Sequence, residues 1–158
     1  SPDKPSLPIV VMGTSMGGAV GLQAAAQDPR IAAVIAVAPF SDLRTAAIER
    51  APFFASKGNI ETAFRLAEEG GKFEVAAVSP VDAAPRIHVP VLLIHGDHDK
   101  ETPYAHSQRI FAALGGPKRL ITIAGGGHRG GLQPEVWREL DTWLAGALMT
   151  SPRARFKP

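Results

Sequence analysis

The chain has 158 residues, 45% of them hydrophobic and 20% charged, enough apolar matter to bury one shared core and too much for a disordered segment. Its 17 Lys and Arg nearly balance 15 Asp and Glu, and the +2 net charge gives no strong electrostatic address for nucleic acid or an anionic membrane. The absence of cysteine excludes disulfides, thiolate metal sites and a Cys nucleophile and leaves the redox compartment open, so cytoplasm is only the default location.

Ser1 to Pro8 is polar and Pro-rich rather than leader-like, and reads as a loop that feeds a strand, which suggests something upstream of it removed or never included. Ile9 to Met12 is a continuous apolar run ending in Gly13, the pattern of a central strand buried on both faces of a parallel sheet. Met16 to Gln27 is helix-compatible and stops at Asp28-Pro29. Ile31 to Val37 is a second strand closed by Pro39, and the strand, helix, strand order requires parallel neighbours. The longest apolar run, Ile31 to Phe40, is about half of what a membrane-spanning helix needs.

From Ser41 to Ala84 the strand pattern is lost. This segment is predicted to be a helical, lid-like insertion, with helices over Leu43 to Arg50 and Ile60 to Glu69 broken by Gly58 and Gly70-Gly71. Val91 to His95 is the third strand, and Pro103 to Leu114 an amphipathic helix stopped by Gly115-Gly116. Leu120 to Ile123 is the fourth strand. Pro134 to Leu148 carries Val136, Trp137, Leu140, Trp143 and Leu144 at helical spacing, and both tryptophans are expected in the core. The basic residues Arg153, Arg155 and Lys157 read as a frayed terminus. The whole is expected to be a single, partial domain over residues 1–158: three α/β/α layers around a mainly parallel sheet of about four strands.

Gly13-Thr14-Ser15-Met16-Gly17 fits G-x-S-x-G between a buried strand and a helix. A serine on a strained turn there needs neighbours without side chains, which Gly13 and Gly17 supply, and the helix directs the Met16 N–H and its dipole at a developing oxyanion. A phosphate-binding turn would need Lys followed by Ser or Thr, whereas Gly18-Ala19 follows. Serine requires a base to take its proton and a carboxylate to orient that base. The loop after the third strand, His95-Gly96-Asp97-His98-Asp99, and the loop after the fourth, Gly125-Gly126-Gly127-His128, offer both at the same sheet edge.

These motifs resemble the α/β-hydrolase superfamily of serine hydrolases. Pro-Val-Leu-Leu-Ile-His-Gly-Asp-His-Asp is similar to its strand-plus-acid-loop pattern, in which the acid lies three residues after the glycine of His-Gly. The resemblance implies a Ser15, Asp99, His128 triad, with Asp97 the alternative acid or a turn-capping carboxylate. The Ala-Pro-Phe segment followed by helices is similar to the esterase and peptidase-like branch that includes the Bem46-type hydrolases. That likeness implies carboxylic ester hydrolysis through an acyl-enzyme, with amide or peptide cleavage, a non-catalytic binding module or an inactive fragment as alternatives. The expected partner is a small acyl substrate. No cofactor or metal is called for, and the His98, Asp97, Asp99, His106 group lacks ligand spacing. His95 is expected to be structural. Phe40, Phe53, Phe54 and Phe64 are candidates for an apolar acyl pocket or for the core.

The fold implied by the resemblance has further amino-terminal strands, one of whose loops carries a second oxyanion donor. A chain without them would expose the edge of the first strand and invite pairing, either with an upstream segment or by self-association.

Overall fold

The computed structural model describes residues 7–129 and 132–150; the opening residues 1–6 and the basic tail, both read above, lie outside the described residues. Four strands form one parallel sheet: β1 Ile9–Thr14, β2 Ile31–Val37, β3 Val91–Gly96 and β4 Lys118–Ile123, in the order β1-β2-β3-β4. The helices are α1 Met16–Ala25, α2 Leu43–Arg50, α3 Lys57–Gly71, α4 Pro80–Ala83, α5 Ala105–Ala113 and α6 Pro134–Thr150.

Successive strand side chains point to opposite faces, so each strand feeds two cores. Val34 and Ala36 of β2, with Val91 and Leu93 of β3, pack against Leu22 of α1 and Ile110 of α5. Ile35, Val37, Leu92 and Ile94 pack on the other face against Val136, Leu140 and Trp143 of α6. Every residue of β2 and β3 is buried, as their unbroken apolar runs require. Removing side chains such as Leu93 and Leu140 from water stabilises the fold by about 1.5–3 kcal/mol each.

β1 departs from its reading as a central strand. Among the described strands it pairs only with β2, and Ile9 and Met12 keep 42% and 41% of their surface exposed. Val11 packs on one core and Val10 on the other, so both faces of the run are partly covered, while one edge of the strand is unpaired among the described strands.

Ser41 to Ala84 is helical, as expected, and α2 has the predicted bounds because the Asp42 carboxylate accepts the Thr45 N–H at 2.7 Å. α3 is longer than the glycines suggest. Ser56 Oγ caps it by accepting the Asn59 N–H at 3.2 Å, so Gly58 falls in the first turn, and the helix continues to left-handed Lys72 at φ 52°. Glycine at a helix end costs less than one in mid-helix, so neither Gly58 nor Gly71 breaks it. Among the described residues no helix is long and apolar enough to cross a membrane.

Candidate active site

Ser15 is the single residue between β1 and α1, at φ 53° and ψ −117°. A non-glycine residue in such a region carries about 1–3 kcal/mol of strain and persists only where its surroundings hold it. Here its N–H donates to the Val37 carbonyl at 2.7 Å, and its own carbonyl accepts the Ala19 N–H at 3.1 Å. Met16 is the first residue of α1, so its N–H has no intrahelical acceptor and stands next to the serine.

The two elbow glycines are not equivalent. A Cβ on Gly13 would fall 2.3 Å from the Gly17 carbonyl carbon, whereas one on Gly17 would meet nothing within 4 Å. The expectation that both must lack a side chain therefore holds for Gly13 only. The close approach is the backbone of the helix passing over Gly13, and Gly17 itself points outward. Gly18 is the second tight position, where a Cβ would lie 3.0 Å from the Gly13 carbonyl and 3.3 Å from Ala36 Cβ.

Asp99 leaves the carboxyl end of β3 and is nearly enclosed, 6% exposed. Its Oδ1 accepts the N–H groups of Glu101 and Thr102, both at 2.8 Å, and its Oδ2 accepts His128 Nδ1–H at 2.7 Å. Burial pushes this carboxyl up, but the Thr102 N–H, His128 and the Glu101 N–H together hold it below its ordinary value. The buried His95 braces the same loop. Its Nε2–H donates to the Thr102 carbonyl at 2.8 Å and lies 3.2 Å from Asp99 Oδ2, while Nδ1 accepts from Ser107 Oγ at 2.7 Å. Burial lowers the His95 pKa, with the Thr102 carbonyl and Asp99 opposing the fall.

His128 follows β4 through the glycine run. Its Nε2 lies 3.1 Å from Ser15 Oγ, so a proton on Nδ1 directed at Asp99 leaves Nε2 to accept from the serine. Asp97 faces away from this group. Its Oδ1 accepts the Gly125 N–H and His98 Nδ1–H, each at 2.7 Å, and so pins the β4 loop in the turn-capping manner. The acid and histidine loops also touch through backbone: a Cβ on Gly96 would sit 2.1 Å from the Gly126 carbonyl oxygen. This contact has no counterpart in the G-x-S-x-G pattern, and only the His-Gly pair hints at it.

His106 belongs elsewhere. Its Nδ1 accepts the Ser41 N–H at 3.0 Å and its Nε2–H donates to Glu49 at 2.7 Å, so of the four residues weighed as a metal group Asp97 and His98 pair with each other while Asp99 and His106 face other partners.

A cleft of about 660 Å³ opens over Ser15 and His128, walled by Val37, Leu132, Trp137 and Arg50. None of the four phenylalanines lines it. Phe40 packs on Ala19 and Ala46, Phe64 borders a separate apolar cavity of about 230 Å³ beneath α2 and α3, and Phe53 and Phe54 face solvent. Trp137 also departs from its expected core position. The Val136, Leu140, Trp143 stripe faces the sheet, and Trp137 falls one residue off it, about 100° around the helix. That offset is the signal that could have found it. Arg50, at the end of α2, carried none.

The parallel sheet with this strand-to-helix serine turn at its carboxyl edge is the α/β-hydrolase fold. The chain superposes on acetyl xylan esterase from Paenibacillus sp. R4 with a TM-score of 0.67 at 24% identity, covering 88% of this chain and 45% of that one. On a Mycobacterium tuberculosis puromycin-hydrolyzing peptidase the TM-score is 0.66 at 27% identity, over 90% of this chain and 22% of that one. Residues 7–150 match the prolyl oligopeptidase family, and the chain belongs to that family. The uncharacterized protein YfhR of Escherichia coli (strain K12) is 33% identical over 123 residues, 76% of this chain and 38% of that protein. The 2,6-dihydropseudooxynicotine hydrolase of Paenarthrobacter nicotinovorans is 28% identical over 149 residues, 92% of this chain and 40% of that protein. The chain thus spans about two fifths of the length of these curated relatives.

Proposed function

We propose that Ser15, His128 and Asp99 hydrolyse a small acyl substrate, a carboxylic ester first, through an acyl-enzyme. The observation that carries this reading is the continuous hydrogen-bonded chain from Ser15 Oγ through His128 to Asp99, opening onto the cleft. As Ser15 Oγ attacks the carbonyl carbon, its proton passes to His128 Nε2. Asp99, held ionised by its N–H donors, fixes the ring and offsets the imidazolium charge. The Met16 N–H and the positive end of α1 offset the negative charge on the carbonyl oxygen. Collapse breaks the bond to the alcohol, which leaves with the Nε2 proton. Water then attacks the acyl-enzyme, again giving its proton to Nε2, and the acid departs as Ser15 regains its hydrogen. These steps call for no metal or organic cofactor.

Amide cleavage by the same residues is the second reading, and the puromycin-hydrolyzing peptidase at 27% identity favours it. The Ser41 to Ala84 segment acts as a lid-like insertion within one domain, a role supported by α2 carrying Arg50 to the cleft rim.

Labelling with a fluorophosphonate tests the reading. The adduct should be found on Ser15 and vanish in Ser15→Ala and His128→Ala, and Asp99→Asn should slow labelling about a hundredfold or more. A folded chain that stays unlabelled would replace the self-sufficient enzyme with a binding module on the hydrolase scaffold or an inactive fragment.

A further inference from the structure

The cleft wall has an apolar side, Val37, Leu132 and Trp137, and a charged side, Arg50, Arg129 and Glu101. Arg129 and Glu101 stand 4.0 Å apart with side chains 91% and 51% exposed, so their charges oppose each other in solvent. Arg50 is held differently. Its Nε donates to the Glu101 carbonyl at 2.7 Å and its Nη2 to Thr102 Oγ1 at 2.9 Å. Both acceptors are neutral, so the guanidinium is oriented where it lines the cleft, and among the described residues no carboxylate within 4.0 Å pairs with it. A fixed cation in a partly apolar cleft beside Ser15 matches one kind of substrate: an acyl chain long enough to cover the apolar side and ending in an anion.

We infer that Arg50 selects acyl substrates bearing a free carboxylate, of which monoesters of dicarboxylic acids are the simplest class. This inference rests on the reading of Ser15 as nucleophile. The guanidinium fork suits a carboxylate better than an ammonium would, because it offers two parallel N–H donors. Arg50 also grips Glu101 and Thr102, the two residues whose N–H groups hold Asp99, so a purely positioning role is the competing explanation. Positioning alone would affect charged and neutral substrates alike.

The test compares two 4-nitrophenyl esters of adipic acid, one with its distal carboxylate free and the other with that group as a neutral carboxamide. The full chain should prefer the anionic ester in kcat/KM, and added salt should erode the preference. Arg50→Gln should lower the anionic-to-neutral ratio about fivefold, mostly through KM, and Arg50→Lys should restore part of it. An unchanged ratio in Arg50→Gln overturns the inference, whether both rates fall together or neither does. A neutral fluorophosphonate run alongside separates the two claims. Labelling of Ser15 with an unchanged ratio, or with neither ester turned over, sinks the carboxylate selection and leaves the nucleophile standing. No labelling of the parent chain sinks both.

Discussion

Ser15 sits at φ 53° because three contacts leave it nowhere else to go: its N–H to Val37, its carbonyl to Ala19, and Gly13 beneath the Gly17 backbone. The asymmetry of the two glycines makes a clean prediction. Gly13→Ala forces the Gly17 backbone away and should cut Ser15 labelling at least about tenfold, since small displacements of a positioned nucleophile cost orders of magnitude. Gly17→Ala should label normally and melt no lower than the parent, because alanine is favoured over glycine in a helix by about 1 kcal/mol. Equal damage from both would contradict the geometry. Ser15 and His128 stood out in sequence through the glycines beside them at strand ends, whereas Asp99 was preferred to Asp97 only through the resemblance; the structure brings Ser15, His128 and Asp99 within hydrogen-bonding distance. Trp137 and Arg50 were not, since a cleft wall is made by elements meeting in space and leaves no local motif.

Between elements, His106 of α5 is the staple that holds α2. It accepts the Ser41 N–H just before α2, at 3.0 Å, and donates to Glu49 near its end, at 2.7 Å. Burial lowers the His106 pKa; Glu49 and Asp42 raise it in part, and Arg109 lowers it further. His95 is lowered too, again by burial foremost, with Asp99 opposing and His128 adding to the fall. An unfolded imidazole titrates near about 6.5, so as pH falls below that value the unfolded chain takes protons that the folded one refuses, and stability drops. Asp42 and Asp99 have pKa values held below the ordinary carboxylate range, so the stability they contribute is present above about 4 and is lost only below it. The urea midpoint should therefore fall between about pH 7 and pH 5. His106→Gln should be less stable at every pH but show a shallower slope there, with His95 supplying the remainder. An identical slope in the variant would refute the role given to His106. The positions of β2 and β3 were plain from their apolar runs; the Asp42 cap of α2 was not part of the sequence reading, and the ends of α3 were hidden because Ser56 and Lys72, rather than its glycines, terminate it.

At the scale of the molecule, the site joins the two outer strands of the described sheet. Ser15 follows β1 and His128 follows β4, with β2 and β3 between them, so the parent strands stand about 14 Å apart. Parallel pairing followed from the alternation of strand and helix and the open edge of β1 from the resemblance, but the sheet order did not, because alternation fixes strand direction and not which strands are neighbours. The hydrogen bond from Ser15 to His128 closes a separation of 113 residues along the chain. Contacts that distant are the slowest to form, since the entropy of closing the loop is lost before the contact is gained. On the proposed function, labelling of Ser15 is therefore a clock for the final stage of folding. After dilution from urea the helical signal should recover first, and labelling should lag until β4 has docked on β3; simultaneous recovery would mean that the sheet and its helices form in one step.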